Sequence, residues 1–247
     1  MVDGKVNNEM LFTFYFYDII ILGDVMNNLN ILYEDNHIIV VIKPFNILSQ
    51  ADDTNDIDML TIIKDYIKEK YNKPGNVYLG LVHRLDRPVS GVMVFAKTSK
   101  AASRLSEEVR NKTMHKYYLA VVHGKTKEEE TLVDKISKDT KTNNSYIDAN
   151  GKESILTYKT LYYDKDKDLS LIEVDLKTGR HHQIRLQLSN INHPLYGDQR
   201  YGNGEKAQLA LYAYKLCFTH PVSKEELCFK YLPEKIGVWK LLEEVEL

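Results

Sequence analysis

Apolar and β-branched residues fill positions 31–41, interrupted by a polar turn at 34–36, and Lys43-Pro44 ends the run. This predicts a hairpin-like strand pair that closes at a residue unable to donate to a sheet ladder. Positions 59–71 carry Leu60, Ile63, Tyr66 and Ile67 at helical spacing among charged neighbours, and Pro74-Gly75 stops the stretch. An amphipathic helix is expected there. Residues 77–82 lead into the polar tetrad 83–86, and residues 91–96 read as a buried strand. A second helix is expected from an N-cap at Ser99 to Arg110, with Ala102, Leu105 and Val109 on its apolar side. Residues 117–122 alternate in bulk as a strand does, whereas 125–150 is polar and lysine-rich and predicts hairpins and surface loops. Residues 155–163 and 169–176 flank a turn at 164–168 and form a β-hairpin pattern. A short helix opens at 178–180 and runs through His182 and Arg185; strands at 209–218 and 227–231 follow, and Trp239 closes a small C-terminal helix.

Strands outnumber helices, and turns join most neighbours. The expected fold class is therefore α+β, with a mixed, mainly antiparallel central sheet and flanking helices. The chain has 247 residues, enough for a full core without metal or disulfide staples. Without a repeat, low-complexity tract or Gly/Ser linker to divide it, residues 26–247 are expected to form one domain. The apolar run 10–22, broken by Asp18, is too short to span a bilayer and lacks a cationic start and a small-residue cleavage site. Residues 1–25 thus read as a peripheral, dispensable extension, with the regular pattern beginning beyond Met26.

Composition narrows the class further. Hydrophobic residues are 43% and charged residues 28% of the chain, ordinary for a globular protein and wrong for a disordered or membrane one. Cys217 and Cys228 each lie in an apolar, strand-like stretch with no CxxC. They read as buried structural thiols in a reducing cytoplasm, with a plain disulfide as the alternative. The formal net charge is −2, so bulk electrostatics do not announce a polyanionic partner, and any such partner requires a local basic face.

Candidate chemistry sits in two polar stretches. His83-Arg84-Leu85-Asp86-Arg87-Pro88-Val89-Ser90-Gly91 sets a carboxylate between two arginines. A guanidinium close to Asp86 is expected to lower its pKa and keep it ionised as nucleophile or base. A surface salt bridge is the commoner fate of Arg and Asp in a turn. The second stretch changes that weighting: Thr178-Gly179-Arg180-His181-His182-Gln183-Ile184-Arg185 gathers cations, imidazoles and an amide at a helix start, which suits a polyanion or a buried carboxylate.

Taken with further blocks, these stretches resemble the RluA-type family of pseudouridine synthases. The resemblance runs from about Ile31 to Pro233, with the blocks in the family's order. Ile31-Leu32-Tyr33-Glu34-Asp35 with Val40-Val41-Ile42-Lys43-Pro44 matches the opening block, and Lys116-Tyr117-Tyr118-Leu119-Ala120 with Gly124 a later one. The second polar stretch continues into His193-Pro194-Leu195-Tyr196-Gly197-Asp198. Ile42 stands where the family commonly has Asn, and Tyr212 stands where a Leu-His-Ala is usual; neither touches a position assigned to chemistry. A small S4-type RNA-binding domain, which some members of the family carry ahead of the catalytic region, is not expected here, so RNA recognition is expected to fall on the catalytic region itself.

The resemblance implies an isomerase that converts uridine in folded large-subunit ribosomal or transfer RNA to pseudouridine. Asp86, Tyr118 and Arg185 would be catalytic. Arg84, His83, Arg180, His182, Gln183 and Lys116 would serve base extrusion and RNA binding, with Arg84 filling the space the base leaves. Lys100, Arg104 and Lys116 are candidates for the phosphate path. The reaction transfers neither electrons nor a group to a second molecule, so neither cofactor nor metal is implied. A monomer in the cytoplasm is expected, with RNA as partner and no membrane or obligate protein partner. Three other readings fit less well. A protein kinase fails because Leu85 interrupts His-Arg-Asp and no Gly-rich loop or Asp-Phe-Gly accompanies it. A metal hydrolase fails because adjacent His181 and His182 point to different helix faces and no HExxH occurs. A non-catalytic RNA-binding module has no need of Asp86, Tyr118 and Arg185 together.

Overall fold

The computed structural model describes residues 29–54 and 56–247; the proposed extension at 1–25 lies outside them. The hairpin strands β1 (Ile31–Glu34) and β2 (Ile38–Lys43) start an 11-stranded sheet among the described residues. It continues with β3 (Gly80–Leu81), β4 (Ser90–Ala96), β5 (His115–His123), β6 (Glu129–Asp139), β7 (Asn144–Ile147), β8 (Lys152–Asp164), β9 (Leu169–Leu176), β10 (Leu211–Thr219) and β11 (Glu226–Lys230). The order is β1-β2-β4-β10-β5-β9-β8-β6-β7, with β11 on β10 and β3 on β4. Every ladder is antiparallel except β4 with β10, so the sheet is mixed and mainly antiparallel, and the fold is α+β.

The uninterrupted apolar runs of β2 and β4 reflect burial on both sheet faces. Ile39, Val41, Met93 and Phe95 pack with Met59, Ile62, Ile63 and Ile67 of α1 (Met59–Lys70) on one face. Ile38, Val40, Val92 and Val94 point the other way, onto Ala101 and Leu105 of α2 (Ser99–Asn111). Each fully buried aliphatic side chain contributes about 1.5–3 kcal/mol. Helix α1 starts at Asp58, whose carboxylate accepts from the Leu60 and Thr61 amides at 2.9 and 3.3 Å. The cap of α2 is Thr98, one residue before the Ser99 expected from sequence; its side chain accepts from the Ala101 amide. No helix among the described residues is long and apolar enough to cross a membrane.

Two sequence expectations need correction, whereas the hairpin expected within residues 125–150 is present as the 11-residue strand β6 and its antiparallel partner β7. Only Leu132 and Ile136 of β6 are buried, and Asp134 lies between them on the same face, engaged by Gln187 at 2.7 Å, so the apolar alternation is broken. Residues 237–244 form a 3-10 helix, with Leu241 and Leu242 packed on Leu119, Val121 and Leu171. Cys217 and Cys228 are a disulfide, not the two thiols first expected. The β10–β11 register sets them directly opposite, with Cα atoms 4.1 Å apart, and register is invisible when each strand is read alone.

A single row of paired residues crosses the middle of the sheet: Gly91 of β4 pairs with Ala213 of β10, Ala213 with Tyr118 of β5, and Tyr118 with Val174 of β9. Gly91 has φ 130°, and a Cβ there would sit 2.2 Å from the Ala213 carbonyl oxygen. Only glycine fits, because the obstruction is backbone. Gly91→Ala is therefore expected to cost about 3 kcal/mol or more. The check is a urea titration, which should show a lower midpoint with little change in slope.

Candidate active site

Asp86 lies in the loop between β3 and β4, and buried polar groups clamp that loop from below. The Ser49 hydroxyl donates to the Leu85 carbonyl at 2.7 Å and accepts from the Leu85 amide at 3.1 Å. The Lys43 ammonium, fully buried at the end of β2, donates to the carbonyls of Ile47, Pro44 and Arg87 at 2.6, 3.0 and 3.1 Å. Burial pulls its pKa down to about 7, against the attraction of Asp86. His83 accepts from the Val94 amide through Nε2 at 3.1 Å and so ties the loop to β4.

The row from Gly91 to Tyr118 brings this loop beside β5, and the chain leaving β9 turns into α3 (Gln183–Asn190) on the same side. Arg185, in the first turn of α3, is buried and clamps Asp198 in a fork, Nε to Oδ2 at 2.8 Å and Nη2 to Oδ1 at 2.7 Å. Its remaining nitrogen, Nη1, lies 3.6 Å from Asp86 Oδ2. His182 Nε2 approaches the same oxygen at 3.7 Å. Both contacts fall on Oδ2, and Oδ1 has no such partner among the described residues.

Asp86, Tyr118, Arg185 and Lys116 all line one cleft of about 1490 Å³. That is beyond the roughly 300–1,000 Å³ of a small-molecule pocket and fits a polymer segment better. Ten arginine and lysine side chains line it against two carboxylates, Asp52 and Asp86. The net charge of −2 conceals this segregation. Arg84 is exposed in the cleft and has no partner among the described residues. Arg180 is also exposed, its Nε on the Glu153 carbonyl. Lys116, at the cleft wall near Gly179, has its pKa lowered by burial.

Asp86 departs from the electrostatic expectation. Burial raises its pKa, and the opposing pull of Arg185, Lys43 and Arg84 does not cancel that effect. The physical reason is that the Arg185 fork is committed to Asp198, which leaves Asp86 a single longer contact. Burial and the Asp86 charge also raise the Tyr118 phenol.

Several assigned residues fall elsewhere in the design. Gln183, expected to meet RNA, is 2% exposed and spent internally: Oε1 accepts from the Thr178 hydroxyl and the Arg180 amide, and Nε2 donates to Gln187. It shapes the turn that presents Arg180. His83 is likewise a tie within the protein, its pKa pushed down to about 3 by burial and Lys116, so it offers no cation to RNA. Lys100 and Arg104 do not line the cleft; Arg104 is turned to the Pro221 carbonyl. The far end of α2 serves instead through Arg110, followed by Lys112. Sequence reading assigned no role to Asp198, Lys43 or Ser49. Asp198 lay inside a quoted block, and the need of a buried guanidinium for a carboxylate of its own was the available signal.

Two outcomes are expected. Asp198→Asn leaves Arg185 without its fork and should cost about 3–5 kcal/mol of stability, read by chemical denaturation. His83, His181 and His182 are held down to about 3, 4 and 3, chiefly by burial. Their stabilising contribution is complete above the ordinary histidine value of 6.5 and is lost as pH falls from there toward 3–4, because the unfolded chain takes up protons that the native one refuses. Denaturation midpoints should therefore fall steadily below pH 6.5, and a flat profile between pH 6.5 and 4.5 would contradict it.

A family model described as RNA pseudouridylate synthase matches residues 37–190. The chain is 33% identical over 201 residues to the uncharacterized RNA pseudouridine synthase YhcT of Bacillus subtilis (strain 168), an alignment covering 80% of this chain and 66% of that one. It is 33% identical over 227 residues to ribosomal large subunit pseudouridine synthase C of Buchnera aphidicola subsp. Acyrthosiphon pisum (strain APS), covering 85% and 69%. The chain thus spans just under two thirds of the Bacillus relative's length, and 57% of that of ribosomal large subunit pseudouridine synthase D of Neisseria meningitidis serogroup A. Among solved structures, human RNA pseudouridylate synthase domain containing 4 shares the fold, with a TM-score of 0.71 at 21% identity over 89% of this chain and 94% of that one. The match over more than half of its residues means that the chain belongs to the RNA pseudouridylate synthase family, in its RluA-type branch.

Proposed function

We propose that this chain isomerises specific uridines of large-subunit ribosomal RNA to pseudouridine, with Asp86 as the catalytic carboxylate and residues 26–247 as the catalytic unit, in the cytoplasm. The observation that carries the reading is a half-buried carboxylate with one oxygen held and the other open among the described residues, set in a cleft where cations outnumber anions ten to two. The relatives named for ribosomal large-subunit modification favour ribosomal over transfer RNA.

The chemistry derives from the side chains. Cationic walls draw the RNA backbone in, and the target base must leave its stack before a carboxylate can reach it. Arg84, exposed and uncommitted, is suited to fill the vacated space, since a guanidinium both stacks and hydrogen-bonds. Tyr118 offers an aromatic face to the uracil. Asp86 Oδ1 then adds to the base or to C1′, the N1–C1′ bond breaks with its electron pair left on the uracil, the uracil turns and C5 joins C1′ as the bond to Asp86 breaks, and C5 gives up its hydrogen as a proton while N1 takes one up. Burial makes Asp86 more basic than a surface carboxylate, the useful direction for a nucleophile or base, and Arg185 keeps it charged and oriented.

Pseudouridine mapping in RNA from cells with and without the protein tests the activity, and modified transfer RNA in place of ribosomal RNA would overturn the substrate. Purified Asp86→Asn is expected to fold and bind RNA yet form no pseudouridine. Arg84→Ala should be impaired on structured RNA and recover on a flexible single strand; equal loss on both would remove Arg84 from base extrusion.

A further inference from the structure

We infer that His182 is a positioning residue for Asp86, held as the neutral Nε2–H tautomer by a hydrogen-bond chain that begins at Ser145 on β7 and passes through Tyr201. The inference rests on the reading of Asp86 as the reacting carboxylate and adds to it a device that sets the carboxylate's direction.

Hydrogen-bond accounting fixes the protons. The Tyr201 hydroxyl has two neighbours among the described residues: the Ser145 amide, which donates to it at 2.8 Å, and His182 Nδ1 at 2.9 Å. An N–H can only donate, so of these two neighbours Nδ1 is the one that can accept the hydroxyl's own proton. With Nδ1 accepting, the imidazole proton resides on Nε2, the atom 3.7 Å from Asp86 Oδ2. The opposite tautomer would aim a lone pair at a carboxylate and strand a hydroxyl proton.

Ser145 also sets the neighbouring ring. Its hydroxyl donates to the His181 carbonyl at 2.7 Å, so its oxygen accepts from His181 Nδ1 at 3.0 Å, making His181 the Nδ1–H tautomer. The two imidazoles lie against each other with centroids 3.7 Å apart and planes tilted by 32°, their tautomers opposed and both tied to Ser145. Burial, Arg185 and the neighbouring cations keep both neutral. His182 is buried and adopts φ 53° at the start of α3, a left-handed backbone that such a residue occupies only when its surroundings demand it. Tyr201 also lies under the Arg185 guanidinium, 5.4 Å from ring centre to Cζ, so it steadies both groups that face Oδ2. The β6–β7 hairpin is thereby linked to the carboxylate: its turn is bound by Arg200 through the Thr142 and Asn143 carbonyls, and Ser145 continues to Tyr201 and His182.

Nitrogen-15 NMR of the histidine rings in the full chain reads the tautomers directly. His182 should appear as Nε2–H and His181 as Nδ1–H; a wild-type His182 protonated on Nδ1 overturns the inference whatever the activity. Tyr201→Phe should release the His182 tautomer and lower kcat about ten-fold with KM little changed, the rate equivalent of one hydrogen bond to a charged group. Ser145→Ala should alter the His181 ring signals and leave His182 as Nε2–H, because the amide that holds Tyr201 remains. If Tyr201→Phe fails to fold, the wild-type and Ser145→Ala spectra still decide. Unchanged kcat in folded Tyr201→Phe, beside an inactive Asp86→Asn, overturns the inference alone. An active Asp86→Asn overturns the reading of Asp86 itself.

Discussion

A buried guanidinium must have its donors answered, and in this protein the answer comes from Asp198, not from the carboxylate offered to the cleft. The fork holds Arg185 rigid in the first turn of α3, and Asp198 further accepts from the Arg200 and Tyr201 amides, so one carboxylate organises the following turn as well. Asp86 receives what remains, a single nitrogen at 3.6 Å. Had it taken the fork itself, both of its oxygens would have been consumed and its basicity suppressed. Dividing the work between two aspartates lets one be structural and the other available.

The same economy appears under the Asp86 loop. Lys43 spends its ammonium on three carbonyls, and Ser49 both donates to and accepts from Leu85. They hold the backbone on both sides of Asp86, at Leu85 and Arg87, so the carboxylate is already ordered in the free protein. Beyond this centre the cleft walls carry exposed arginines and lysines, among them Arg84, Arg110, Lys112 and Arg180. The overall charge misleads because the cations gather at the cleft while the acids lie elsewhere.

Much of this was legible in the chain. Alternation and helical spacing located α1, α2 and the β8–β9 hairpin, and two polar stretches, with the β5 block, supplied Asp86, Tyr118 and Arg185 to one cleft. Sequence reading failed where a residue's role depends on what lies across from it. Gln183 looked like a ligand for RNA because it is polar and sits in a polar stretch, yet it is consumed by groups of the protein, and His83, though it lines the cleft, commits Nε2 to the Val94 amide. Residues 129–139 received only a general hairpin-and-loop reading, without strand bounds, because Asp134 broke the apolar rhythm of a strand. Cys217 and Cys228 looked like separate thiols because their shared register belongs to neither strand alone.

By itself, then, the amino-acid order determined the elements, the fold class and the kinds of chemical group available, because local periodicity and residue chemistry are properties of neighbours along the chain. Tertiary structure decided which oxygen of Asp86 is held and which carboxylate owns Arg185. The first turns on a distance between Asp86 and Arg185, 99 residues apart in the chain, the second on the competing fork of Asp198, and burial raises the Asp86 pKa where adjacency to arginine predicted a fall. Strand register and desolvation arise only when the segments meet, so no pattern along a single segment encodes them.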